Sequence, residues 1–100
     1  MNNFELDSFQ VIADPSRREI LMMLSKEKLS INEIARNFNI SRPAISKHIK
    51  VLESTGFIFI EEKGRERCCM LNPDGLQRIQ EWINFLKVRK TTAKTEKSFC

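Results

Sequence analysis

The sequence predicts a mainly α-helical fold with one small β-hairpin, in the order helix, helix, helix, helix, hairpin, helix. Three observations carry that expectation. Apolar residues recur at three- and four-residue spacing in five segments, most of them bounded by a capping residue or a helix breaker. Two short apolar runs flank Gly64-Arg65-Glu66, the only glycine-centred turn signal between them. With 100 residues, 41% of them apolar, the chain supports one domain whose core is small enough to benefit from a partner subunit.

The first helix, expected over residues 4–13, draws on Phe4, Leu6, Phe9, Val11 and Ile12. It must stop near Asp14-Pro15, because the residue before a proline disfavours helical backbone angles. Asp14 then caps a second helix with Pro15 in its first turn, and Ile20, Leu21, Met23 and Leu24 share one face up to Ser25-Lys26. Ser30 followed three residues later by Glu33 is a capping-box signature, and Ile31, Ile34, Ala35 and Phe38 mark a third helix of about two turns. Asn39 suits the left-handed conformation that ends a helix. Ser41 caps the fourth helix, Pro43 is tolerated in its first turn, and it runs from Arg42 to Thr55, ending at Gly56. Residues 57–63 and 67–71 form the hairpin. Asn72 and Asp74 offer caps for a last helix within 73–90, where Leu76, Ile79, Trp82, Ile83, Phe85 and Leu86 fall at helical spacing. Residues 91–100 read as a basic tail beyond the folded domain of residues 1–90.

Composition excludes several function classes. No apolar run approaches the roughly 20 residues that span a bilayer, and the first residues lack the basic start and apolar stretch of a signal peptide, so a soluble cytoplasmic protein is expected. Cys68, Cys69 and Cys100 are an odd number at no metal-ligand spacing, which fits neither a disulfide framework nor a zinc ribbon. As strand neighbours, Cys68 and Cys69 point to opposite faces and read as packing residues. There is no phosphate-cradling glycine loop and no nucleophile motif, and the adjacent Glu61 and Glu62 diverge in a strand. An enzyme is not expected, and neither a cofactor nor a metal is called for.

The positive charge is local. Net charge is +4, yet residues 1–40 carry five Lys/Arg against six Asp/Glu, whereas 41–52 carry Arg42, Lys47 and Lys50 with no acid. Lys63, Arg65 and Arg67 form a second basic group at the hairpin turn, and Arg89, Lys90, Lys94 and Lys97 a third. Ile45, Ile49 and Leu52 make an inward stripe on the fourth helix, so Arg42, Pro43, Ser46, Lys47 and Lys50 face outward. Two helices joined by a short turn, the second basic and followed by a hairpin, form a winged helix-turn-helix (α-α-α-α-β-β-α): the unit spans 30–55 and the wing 57–71. That arrangement sets a helix in the major groove of double-stranded DNA. Base-edge contacts are expected from Arg42, Ser46 and Lys47, and backbone contacts from Ser41, His48 and Lys50. Arg65 at the wing tip is placed either to enter the minor groove or to remain a solvated turn residue.

Beyond these patterns, several segments carry a family likeness. They are Ala13-Asp-Pro-Ser-Arg-Arg-Glu-Ile-Leu21, the run Glu33–Leu52 with Ser41-Arg-Pro-Ala-Ile-Ser-Lys-His48 inside it, Thr55-Gly-Phe-Ile58, the Gly64-Arg65 wing and Leu71-Asn-Pro-Asp-Gly-Leu76. From about residue 9 to 88 the chain resembles the ArsR-type winged helix-turn-helix regulators. The resemblance implies a homodimeric repressor whose first and last helices pack across a two-fold axis and which binds an imperfect palindromic operator. It also leans toward the short autorepressors that lack a metal site. Metal sensors of the family carry cysteines in the helix before the recognition helix, or histidines and carboxylates along the last helix. Here Ile31–Phe38 holds no cysteine and no histidine follows His48.

The apolar surface agrees with the implied dimer. Phe4, Phe9, Trp82, Phe85 and Leu86 exceed what so small a core absorbs, and with Leu76, Ile79 and Ile83 they form the expected dimer interface. Double-stranded DNA and a second copy of the chain are therefore the expected partners, with association to the nucleoid when bound; the effector is not readable. The rival reading is a winged-helix protein-interaction module with weak nonspecific nucleic-acid binding, in which the fourth helix is merely basic.

Overall fold

The computed structural model describes residues 6–93. Five α-helices and three strands follow one another as α1 (Ser8–Ile12), α2 (Pro15–Leu24), β1 (Leu29–Ser30), α3 (Ile31–Ala35), α4 (Arg42–Ser54), β2 (Ile58–Lys63), β3 (Glu66–Leu71) and α5 (Gln77–Ala93), with a 3₁₀ turn over Pro73–Leu76 before α5. The expected order of helices and hairpin holds. Phe4 and the tail residues Lys94, Lys97 and Cys100 lie outside the described residues.

Most helix starts follow from local chemistry. Asp7 stays extended and caps α1: its carboxylate accepts from the Gln10 backbone N–H at 2.8 Å, while Gln10 Oε1 accepts from the Asp7 N–H at 2.8 Å. The helix therefore begins at Ser8, later than expected, and Leu6 lies ahead of it, packed against the core. Asp14 Oδ2 accepts from the Arg17 N–H at 3.0 Å and caps α2 over Pro15. Ser30 and Glu33 close the expected capping box on α3, at 3.1 and 2.8 Å.

The turn after α3 departs from expectation. The helix ends at Ala35 rather than near Phe38, and no residue other than glycine among those described has a positive φ, so Asn39 is not left-handed. The last carbonyls are satisfied instead by tightening: Asn37 N–H donates to Ile34 and Phe38 N–H to Ala35, at 3.0 and 3.2 Å. Ser41 then caps α4 as expected.

The hairpin is the larger part of a three-stranded antiparallel sheet in the order β1-β3-β2, whose edge strand β1 was not foreseen. Lys63 pairs with Glu66 across Gly64-Arg65, and Gly64 takes φ +61°, as a two-residue turn with glycine first requires. Leu29 and Ser30 pair with Cys69 and Cys68. One face of the sheet buries Ile58 and Cys69 against Val11, Ile20, Ile34, Ile45, Ile49, Leu52 and Phe57, which form one contiguous core.

The link to the last helix is a backbone knot. Asn72 donates from its backbone N–H to Phe57 O and from Nδ2 to Gly56 O, both at 2.9 Å, while its Oδ1 accepts from the Asp74 N–H. Asn72 caps the 3₁₀ turn that leads into the last helix, and Asp74 lies inside the first turn of that 3₁₀ segment. Gly75 lies so close to this knot that a Cβ would sit 2.5 Å from Gly56 O, hence the glycine. From there α5 continues through Ala93, past the expected end at residue 90.

Candidate nucleic-acid interface

The interface candidate is built on α4. Its buried stripe, Ile45, Ile49 and Leu52, is at most 1% exposed and anchors the helix to the core. At 3.6 residues per turn the opposite side places Arg42, Ser46, Lys50, Pro43 and Lys47 within an arc of about 140°. All are exposed except the half-buried Ser46, and Ser41 is exposed at the cap. Arg42 does not hang free: its Nε donates to Asn32 Oδ1 of α3 at 2.9 Å and its Nη1 to Ser46 Oγ at 2.7 Å. Glu53 extends this side by one turn and shares a concavity of about 190 Å³ with Arg42, Lys50 and Arg67, between α4 and the wing.

His48 is on a different side from the lysines. Its half-buried ring faces the start of α2, with Nδ1 3.4 Å from Arg17 Nη1 and 3.9 Å from Asp14 Oδ2. The Arg17 guanidinium reaches back to α1, donating from Nε to Val11 O at 2.8 Å and from Nη2 to Gln10 O at 3.2 Å. This cluster joins α1, α2 and α4. Partial burial opposes ionisation of Asp14, but the Arg17 N–H, the His48 ring, the Arg17 charge and the Ser16 N–H outweigh it and hold the carboxyl below its ordinary range.

The wing is less basic than its cations alone indicate. Lys63 Nζ and Arg67 Nε each lie 4.0 Å from a carboxylate, Glu61 and Glu62 respectively, all largely exposed. Glu66 is the third acid, so the hairpin cations are matched one for one. Arg65 projects at the turn, and Arg67 lies on the strand face that meets α4. The helix, not the wing, carries the net positive charge of this surface. Sequence spacing marks Asp14 only as a cap and does not mark Asn32, Glu53 or Arg17: their roles here arise where separate elements meet, which no local spacing encodes.

The expected dimer residues collect along α5. Ile79, Trp82, Ile83 and Leu86 form an i, i+3, i+4, i+7 stripe; Ile79 packs on the core, whereas Trp82, Ile83 and Leu86 are 51%, 38% and 43% exposed. Leu76 and Phe85 are exposed as well. Phe9 of α1 meets Trp82 edge-on, ring centroids 5.3 Å apart, so the two helices share one apolar face. Burial is the first reason that the Cys69 thiol is pushed up to about 11, which keeps it protonated and unreactive. Among the described residues no group of three or more His, Cys, Asp or Glu could hold a metal ion, and no helix is long and apolar enough to cross a membrane.

The family model for bacterial regulatory proteins of the arsR family matches residues 14–58, the span from the α2 cap into β2. The transcriptional repressor SdpR of Bacillus subtilis (strain 168) is 38% identical over 87 residues, covering 86% of this chain and 92% of its own. The chain belongs to the ArsR family. The HTH-type transcriptional regulator Rv2034 of Mycobacterium tuberculosis is 36% identical over 85 residues, 85% of this chain and 79% of its own. A crystal structure of an ArsR family transcriptional regulator superposes with a TM-score of 0.76 at 32% identity, covering 80% of this chain and 88% of that one. A homodimeric winged helix-turn-helix DNA-binding domain from Mycobacterium bovis, at 17% identity, shares the fold with a TM-score of 0.64 over 80% of this chain and 74% of that one. This ArsR family member thus has the winged helix-turn-helix fold and is a transcription regulator, not an enzyme.

Proposed function

We propose that this ArsR family member is a repressor that binds a palindromic DNA operator as a homodimer, in the cytoplasm and on the nucleoid. The observation that carries the reading is the arc of exposed Arg42, Pro43, Lys47 and Lys50 with half-buried Ser46, on a helix whose other side is locked into the core. Such a helix enters a major groove as a rigid body, so its side chains meet base edges at fixed offsets. Arg42, Ser46 and Lys47 read bases; Ser41, Lys50 and the wing residues Lys63, Arg65 and Arg67 hold phosphates, with His48 bracing α4 from the α2 side. The α5 face with Phe9 seats the second copy, which sets two recognition helices one helical turn apart on the duplex. SdpR, a transcriptional repressor, and the homodimeric M. bovis domain support this assignment.

Fluorescence anisotropy with the duplex upstream of the protein's own gene, against a random duplex at several salt concentrations, tests the reading. Tight, salt-sensitive binding with preference for one palindromic segment is the expected result. Lys47→Ala relaxes that preference, at about 1–3 kcal/mol, whereas Lys50→Ala weakens both duplexes alike and lowers the salt slope. Weak binding without preference would instead favour a winged-helix module for protein partners.

A further inference from the structure

Resting on the DNA-reading assignment of α4, we propose that Asn32 of α3 is a positioning residue that sets which base Arg42 reads. Arg42 opens α4 and is exposed, as is Asn32. A long exposed guanidinium ordinarily samples many rotamers and loses that freedom on binding. Here it is gripped from two sides before any ligand arrives. Asn32 Oδ1 takes the Nε–H at 2.9 Å, from a different helix, and Ser46 Oγ takes an Nη1–H at 2.7 Å, one turn along α4. Of the five guanidinium N–H groups, three remain: the second on Nη1 and both on Nη2.

The choice of occupied groups has a chemical consequence. With Nε–H committed to Asn32, the side edge of the fork is closed to a bidentate contact, so a bidentate contact by Arg42 is left to the Nη1 and Nη2 end. That end presents parallel donors of the kind that match guanine O6 and N7. Asn32 and Arg42 also line one small concavity with Arg65 and Arg67, so the Arg42 side chain lies on the side of α4 next to the wing. Asn32 acts through Arg42 and need not touch DNA. Ser46 serves the same grip from within α4, which ties its base-reading role to that of Arg42.

A selection followed by a mutant cycle tests this. The wild-type chain is used to enrich a preferred duplex from a library of randomised duplexes, and that duplex is titrated with the wild type, Asn32→Ala, Arg42→Ala and the double variant, each checked for folding by circular dichroism. Asn32→Ala is expected to weaken binding about fivefold, the scale of ordering one long side chain, and to relax preference at a single base pair. In the Arg42→Ala background it should cost less than about twofold. Asn32→Asp keeps the acceptor, so it retains the base preference while its charge weakens every duplex alike. Additive losses from Asn32→Ala and Arg42→Ala, or unchanged preference in Asn32→Ala, overturn the role given to Asn32 and leave the DNA-reading assignment standing. Enrichment of no sequence by the wild type overturns both.

Discussion

The two longest helices, α4 and α5, carry similar apolar stripes and meet different fates. On α4, Ile45, Ile49 and Leu52 are sealed by α2, α3 and the sheet, so its polar side is held still. On α5 only Ile79 reaches the core, and Trp82, Ile83 and Leu86 stay near half exposure. Apolar periodicity says that a helix has a face to bury; it does not say against what. The difference puts the α4 stripe in the monomer's core and leaves the α5 stripe exposed, the face on which the dimer is proposed.

The largest effect expected from breaking this contrast is in α4. Ile45→Ala should cost about 2–5 kcal/mol in urea unfolding, because the removed atoms leave a cavity in a fully packed site. Replacing Ile83 and Leu86 together by serine should leave monomer stability nearly unchanged. The same double variant should lower affinity for the selected duplex by about a hundredfold, through loss of the second half-site. A large stability loss in that variant, with affinity per folded molecule intact, would place the α5 stripe in the monomer's own core.

Smaller effects sharpen the account at the joints. Gly75→Ala should cost about 1–3 kcal/mol, since its Cβ would meet the Gly56 carbonyl and the Phe57 Cα, both backbone atoms with little room to yield. Asp14, whose folded pKa lies below the ordinary 3.8, contributes stability that is complete above the unfolded value and vanishes as pH falls through the lower folded one. Urea midpoints taken between about pH 5 and pH 3 should therefore drop less steeply in Asp14→Asn than in the wild type. Equal slopes would mean that the cap and the His48-Arg17 cluster do not favour the ionised carboxylate.

Much of this was legible in the sequence where the signal is local. Asp14-Pro15, Ser30 with Glu33, and Ser41 with Pro43 each act within four residues, and each fixes a helix start where expected. The Asp7-Gln10 box is equally local, but the apolar run from Phe4 hides it and draws the expected start of α1 ahead of Ser8. Strand β1 was invisible for another reason: two residues have no periodicity, and their pairing partners lie some 39 residues away. The outward set on α4, Arg42, Pro43, Ser46, Lys47 and Lys50, lies away from the core with only Ser46 half-buried, whereas His48, expected at the DNA backbone, has Asp14 and Arg17 beside its ring. The wing cations also have glutamates beside them, Glu62 across the strand pair from Arg67 and Glu61 two residues along β2 from Lys63.

The contrast between α4 and α5 rests on what covers the α5 face, and sedimentation equilibrium addresses that most directly, on the chain alone and on the chain with its selected duplex. The account predicts two copies per particle without DNA and two copies per duplex with it. A monomer in both samples, binding one to one, would contradict it.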